Sequence, residues 1–199
     1  KCGAHINVKN RTITVRGVEG LKLQDYKVIP DRIEAGSYIL ATMATKGRLK
    51  LNNFNPKHLA LPLKLYKGMG LKIKKLSNSS YEIYCKTLKP IKKISTKEFP
   101  GYPTDLQAQL IATQLKSGLK SKVIENIFEN RFIHIPELRR FGANLSIKGN
   151  TVTIDKTSNL LGAEVMATDI RASFSLIIAA MMSKGKTVIN RIYHLDRGY

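Results

Sequence analysis

"DRIEAGSYILATMATKGRLKLN", residues 31–52, opens on an aspartate, runs through a stretch that is apolar or small on nearly every side, and ends in a strand-like alternation after a glycine. The same plan recurs as "DLQAQLIATQLKSGLKSKVIEN" at 105–126 and "DIRASFSLIIAAMMSKGKTVIN" at 169–190. The opening aspartates, Asp31, Asp105 and Asp169, stand 74 and 64 residues apart, so each copy begins a structural unit of about that size. A second repeated element fills the intervals: "CGAHINVKNRTITVRGVEGL" (2–21), "GMGLKIKKLSNSSYEIYC" (68–85) and "FGANLSIKGNTVTIDKTSNL" (141–160) each end in two strands joined by a turn. The chain therefore holds two complete units and pieces of others at both ends. Each unit reads as helix, strand, short helix and two turn-linked strands, with a short strand such as "YKVI" (26–29) or "AEVM" (163–166) leading into the next aspartate.

The pattern of apolar residues says which layer lies inside. "AGSYILATMA" (35–44) and "RASFSLIIAAMM" (171–182) lack a polar face, as expected of helices with protein on all sides. "TITVR" (12–16), "RLKLN" (48–52) and "TVTID" (151–155) alternate, as on a sheet with one wet face. The expected fold is α/β, with buried parallel helices around an axis and sheets outside. Parallel helices concentrate positive partial charge at the end where they start, which suits an anionic ligand. The three aspartates should line that end.

A formal charge of +20 also points to an anionic partner: nucleic acid, a membrane surface or a phosphorylated small molecule. The lysines, however, are spread along the chain and alternate with apolar residues, as in "LKIKKL" (71–76), which is the pattern of a solvated surface. No basic groove interleaved with aromatics stands out, so no nucleic-acid partner is expected. Cys2 and Cys85 lie in no metal-binding spacing, and neither a disulfide nor a metal is expected. The longest apolar run, "FSLIIAAMM" (174–182), is far short of the roughly 20 residues that span a bilayer, and no signal peptide is readable. A cytoplasmic protein without a membrane partner is the expectation.

An aspartate at a helix start has an ordinary reading as a cap. For Asp31 that reading is favoured over a functional one. Before Asp105 and Asp169 stand Thr104 and Thr168, which can take the cap and leave the carboxylate for other work. Arg131, in "FENRFIHIPELRRFG" (128–142), precedes a short helix in a crowded polar setting; it is either part of a helix-flanking surface cluster or a ligand-binding residue. Arg191, Asp196 and Arg197 of "RIYHLDRGY" (191–199) follow a strand, where an arginine can clamp a carboxylate or phosphate, or pair with Asp196.

Taken in order, "VIPDRIEAG" (28–36), "PGYPTDLQAQ" (100–109), "FENRFIHIPELRRFGA" (128–143), "GAEVMATDIRAS" (162–173) and "NRIYHLDRGY" (190–199) resemble the UDP-N-acetylglucosamine enolpyruvyl transferase family over nearly the whole chain. The related shikimate-pathway transferase lacks the "PTDLQAQ" and "FENRF" signatures. The resemblance implies an inside-out α/β barrel of repeated βαβαββ units, in which residues 31–199 form most of the C-terminal lobe, stopping before its last helix and strands, and residues 1–30 are the tail of the N-terminal lobe. It implies transfer of an enolpyruvyl group from phosphoenolpyruvate to the 3-hydroxyl of UDP-N-acetylglucosamine, with no cofactor, in the first committed step of peptidoglycan synthesis. By matching motif, Asp105 would deprotonate the sugar hydroxyl and Arg197 would grip phosphoenolpyruvate. Ile127, Arg131, Asp169, Arg171 and Asp31 would contact substrate or the lobe interface, and Gly101 would let the backbone approach the sugar nucleotide. The family often has a histidine where Phe99 stands. Its proton-donating cysteine lies in the missing lobe, so neither Cys2 nor Cys85 takes that role, and the chain alone is expected to be inactive. A basic non-catalytic binding module on the same scaffold is the other reading.

Overall fold

The computed structural model describes residues 2–199, apart from the side chain of Arg197. Its first element is a hairpin of β1 (His5–Lys9) and β2 (Thr12–Arg16), turned at Asn10 with φ 55°. The first unit then holds α1 (Arg32–Ala44), β3 (Arg48–Leu51), α2 (Ala60–Gly68) entered through a 3-10 turn at Pro56–Leu59, β4 (Leu71–Lys75) and β5 (Tyr81–Cys85). Its antiparallel sheet has the order β3-β5-β4. The second unit begins with β6 (Lys93–Ser95) and continues through a 3-10 turn at Thr104–Leu106 into α3 (Gln107–Gln114), then β7 (Ser121–Ile124), α4 (Ile135–Arg140), β8 (Leu145–Lys148) and β9 (Thr151–Ile154). Its sheet runs β6-β7-β9-β8, with β6 parallel to β7. The third comprises β10 (Glu164–Met166), α5 (Ile170–Met182), β11 (Val188–Asn190), parallel to β10, and a 3-10 segment Ile192–Arg197.

The repeat is therefore real: β6-α3-β7 and β10-α5-β11 are the same crossover. Its counterpart before α1 differs. "YKVI" was expected as a strand, but residues 17–31 have no regular structure, and among the described residues only β5 pairs with β3. The hairpin also departs from expectation, since every residue of β1 and β2 is exposed and neither face packs on the rest of the chain.

The helices are inside. All eight residues of α3 are buried, as is most of α1 and α5, whereas β3 and β9 alternate between an inner and a wet face. Gln109 reaches Ser37, and one turn further along Thr113 reaches the Leu40 carbonyl, so α1 and α3 run parallel. At their shared starting end Tyr38 packs edge-on against Phe174 of α5, with ring centres 5.5 Å apart.

Close approach at this end depends on a glycine. A Cβ on Gly36 would lie 2.6 Å from a methyl of Leu106, the residue after Asp105. Leu106 is fully buried, so it has little room to withdraw. Gly36→Val should destabilise the protein by roughly 1–3 kcal/mol through overpacking, despite the better helix propensity of valine. Urea unfolding of the two proteins measures this; equal midpoints and slopes would show that Leu106 yields without cost.

Candidate active site

Three aspartates that look equivalent in the sequence are used in two ways. Asp31 and Asp169 are helix caps: each has extended backbone, and each side chain accepts hydrogen bonds from two amides of the first turn, those of Ile33 and Glu34 or of Arg171 and Ala172. The expectation that Thr168 would cap α5 and release Asp169 is therefore corrected, since the aspartate itself sits where its carboxylate reaches the orphan amides. Asp105 differs. It lies inside the 3-10 turn Thr104–Leu106, and neither this turn nor α3 has a side-chain cap.

The Asp105 carboxylate instead faces two guanidinium groups. Arg131 Nη2 donates a hydrogen bond of 2.9 Å to Oδ1, and Arg171 Nε lies 2.6 Å from the same oxygen. The N–H of that Nε does not point at the carboxylate, so the second contact is ionic and the Nε is left without a hydrogen-bond acceptor. No hydrogen bond among the described residues uses Oδ2. The three side chains are 23–36% exposed, so the cluster is partly screened by water and carries one net positive charge. Arg131 also stacks over Phe128, its guanidinium carbon 4.7 Å from the ring centre.

Arg171 comes from the first turn of α5, whereas Asp105 and Arg131 are brought together by two loops that both hang on Glu125. This carboxylate follows β7 in the inward phase set by Ser121 and Val123, and it is 2% exposed. Its Oε1 accepts from Thr96 Oγ1 at 2.8 Å and from the amides of Ile127 and Phe128 at 2.8 and 3.3 Å. Oε2 accepts from Thr104 Oγ1 at 2.8 Å. The hydroxyl expected to cap a helix thus serves to tie its loop to Glu125. The "PGYPT" loop is also anchored by the buried Tyr102 hydroxyl, 2.8 Å from that of Tyr66 on α2, and is tightly turned: a Cβ on Gly101 would fall 2.5 Å from that of Lys97 and 2.8 Å from the Glu98 carbonyl. Gly101 is required by the turn itself, a different reason from the ligand approach expected for it.

Ile127 and Arg131 line an open cavity of about 810 Å³ together with Phe128, Phe132, Ile147 and Asn150. Asp31 lies beside a different cavity, of about 470 Å³, with Ile29, Arg32, His58 and the exposed Phe99. Tyr199 stands where α1, α3 and α5 come together, its ring centre 4.3 Å from that of Phe174. Its hydroxyl is within 3.0 Å of Ser37 Oγ and accepts from Gln109 Nε2 at 3.2 Å. Burial raises its pKa, Arg171 opposes the rise and Asp31 adds to it. The expected role of Arg197 rests on a side chain outside the described residues. Among the described residues no cluster of His, Cys, Asp or Glu could hold a metal ion, and no helix is long and apolar enough to cross a membrane.

The family model described as EPSP synthase (3-phosphoshikimate 1-carboxyvinyltransferase) matches residues 1–199. The UDP-N-acetylglucosamine 1-carboxyvinyltransferase of Pelagibacter ubique is 49% identical over 191 residues, which are 95% of this chain and 45% of that protein. The enzymes of the same name from Helicobacter pylori (strain Shi470) and Koribacter versatilis are 46% and 44% identical, over 96% and 100% of this chain and 46% of each of theirs. The chain thus spans just under half the length of the curated relatives it matches. Among solved structures, the enolpyruvyl transferase NikO from Streptomyces tendae is similar with a TM-score of 0.85 and 26% identity, over all of this chain and 48% of that one. EPSP synthase from Acinetobacter baumannii matches with a TM-score of 0.70 at 15% identity, over all of this chain and 49% of that one, a likeness of fold alone.

His134, just before α4, is a titratable group of this region that burial strongly disturbs. It is 2% exposed and its Nε2 has no partner among the described residues. Desolvation pushes its pKa down to about 4, with Arg131 acting in the same direction and Asp169 against it. Between pH 6.5 and 4 the unfolded chain takes up a proton that the folded one refuses, so stability is full above pH 6.5 and falls as pH drops toward 4. The loss is about 3 kcal/mol. Urea melts across this range should show the slope, reduced by that amount in His134→Gln; an unchanged slope would mean that His134 is protonated in the native state.

Proposed function

The chain belongs to the EPSP synthase family of enolpyruvyl transferases, and on that premise we propose that it forms part of an enzyme that transfers the enolpyruvyl group of phosphoenolpyruvate to the 3-hydroxyl of UDP-N-acetylglucosamine. The choice of acceptor rests on the 44–49% identity to proteins named for this reaction. On this reading residues 31–199 are most of the C-terminal lobe and residues 1–30 the tail of the N-terminal one. The partners are the two substrates and that other lobe, and the product enters peptidoglycan synthesis in the cytoplasm.

The carrying observation is the environment of Asp105. A base for the sugar hydroxyl needs a carboxylate oxygen that is held in place yet open to a proton. Both cations approach Oδ1, which fixes the group and leaves Oδ2 to face the hydroxyl. The proton of the 3-hydroxyl passes to Asp105 as its oxygen bonds to C2 of phosphoenolpyruvate, and the methylene carbon takes a proton from a donor in the other lobe. Loss of that added proton and of phosphate then restores the double bond, now on the sugar. Arg131 and Arg171 are cations of this lobe that can serve the carboxylate and phosphate of the donor, a role that the matching motif also assigns to Arg197. Ile127 and the face of Phe128 line the cavity for the sugar nucleotide, while Asp31 and Asp169 set helix ends at the closing interface.

The test uses the complete product of the coding sequence and measures phosphate release from phosphoenolpyruvate with UDP-N-acetylglucosamine. Asp105→Ala and Asp105→Asn should each lower kcat by ~10²–10⁴-fold, the asparagine because it keeps the shape and loses the base. Release without need of this sugar nucleotide, or an Asn variant within tenfold of the wild type, would overturn the assignment.

A further inference from the structure

We infer that Glu125 is a positioning residue for this reaction: it clamps the loop that carries Asp105 to the loop that carries Ile127 and Arg131, so that base and substrate cavity keep one geometry. The inference rests on the proposed role of Asp105. Its structural basis is independent of that role.

Four donors converge on this one buried carboxylate, two hydroxyls and two amides, and among the described residues no cation pairs with it. A buried carboxylate without a cation is costly unless its lone pairs are filled by hydrogen bonds. Here the donors come from three places in the chain. Thr96 follows β6, Ile127 and Phe128 follow β7, and Thr104 opens the turn that presents Asp105. Thr96 Oγ1 in turn accepts from the Asn126 amide at 2.9 Å, which closes the ring on the β7 side. The Asp105 loop reaches this ring through one bond, from Thr104 to Oε2. On the far side of the clamp the two loops meet again, where Arg131 binds Asp105. Cutting the Thr104 bond therefore loosens the loop behind the base, whose Oδ1 stays paired with Arg131 and Arg171, while leaving the cavity loop on Oε1.

That asymmetry separates positioning from mere stability. An interaction realised only in the transition state appears in kcat, and one shared by ground and transition states appears in KM. Displacement of a catalytic group by about 1 Å costs up to ~10²-fold. Thr104→Val keeps the shape and removes the hydroxyl, whereas Thr104→Ser keeps the hydroxyl and removes the methyl.

In the complete product, Thr104→Val should lower kcat by ~10- to 100-fold with the KM for UDP-N-acetylglucosamine nearly unchanged, and Thr104→Ser should recover most of the rate. Hydrogen exchange of residues 100–106 should quicken in the valine variant alone, with the amides of Ile127 and Phe128 as protected as before. A kcat for Thr104→Val close to wild type, or equal losses in Val and Ser, would overturn the inference. If the wild-type product releases no phosphate with these substrates, the proposed reaction fails and the exchange data decide the clamp: unchanged exchange in the valine variant rejects it, and quickened exchange confined to 100–106 supports it.

Discussion

A helix surrounded by protein must satisfy its polar groups without water, and α3 is such a helix along its whole length. Its glutamines show how this is done. Gln109 donates to Ser37 and Tyr199, and Gln114 accepts from the Ile91 amide and from Ser121, so the helix is bonded to α1, to the last segment and to the sheet that covers it. The match is incomplete, since among the described residues Gln107 Nε2, Gln109 Oε1 and Gln114 Nε2 find no partner. These bonds hold the helices in one register with their starts at a common end. The loops that enter them are gathered there, and the chemistry with them.

The same arrangement explains why three like aspartates diverge. Where the chain enters a helix directly, as at Asp31 and Asp169, the aspartate falls at the cap and is consumed by first-turn amides. Before α3 a 3-10 turn intervenes, which carries Asp105 past the cap position and turns it toward the arginines. A shift of a residue or so in how a repeat unit begins separates a structural carboxylate from a candidate catalytic one.

The layers were legible because burial acts on every residue of an element and leaves a period. Helices without a polar face are inside, and alternating strands cover them. What the sequence concealed depends on single contacts. "YKVI" has the composition of a strand, but a strand needs a neighbour, and β3 is not met by one there. "TITVR" alternates, yet among the described residues no partner lies under its apolar side. The prominence of Asp105 followed from its setting among prolines and threonine, but the Arg131–Asp105–Arg171 contact joins residues from three elements and has no local signature. Glu125 did leave a trace: it continues the inward phase of β7, where a charged residue calls for an explanation.

The β1–β2 hairpin bears on how this polypeptide behaves in solution. Ile6 opposes Val15 and Val8 opposes Ile13, and all four are more than half exposed, a bare apolar ribbon on a molecule of charge +20. At low ionic strength mutual repulsion keeps such ribbons apart. At physiological ionic strength the charge is screened beyond ~8 Å, and ribbons on different molecules can meet and stack or pair at their edges. Self-association through this segment is thus expected to rise with salt, because screening removes the repulsion that opposes contact between exposed ribbons.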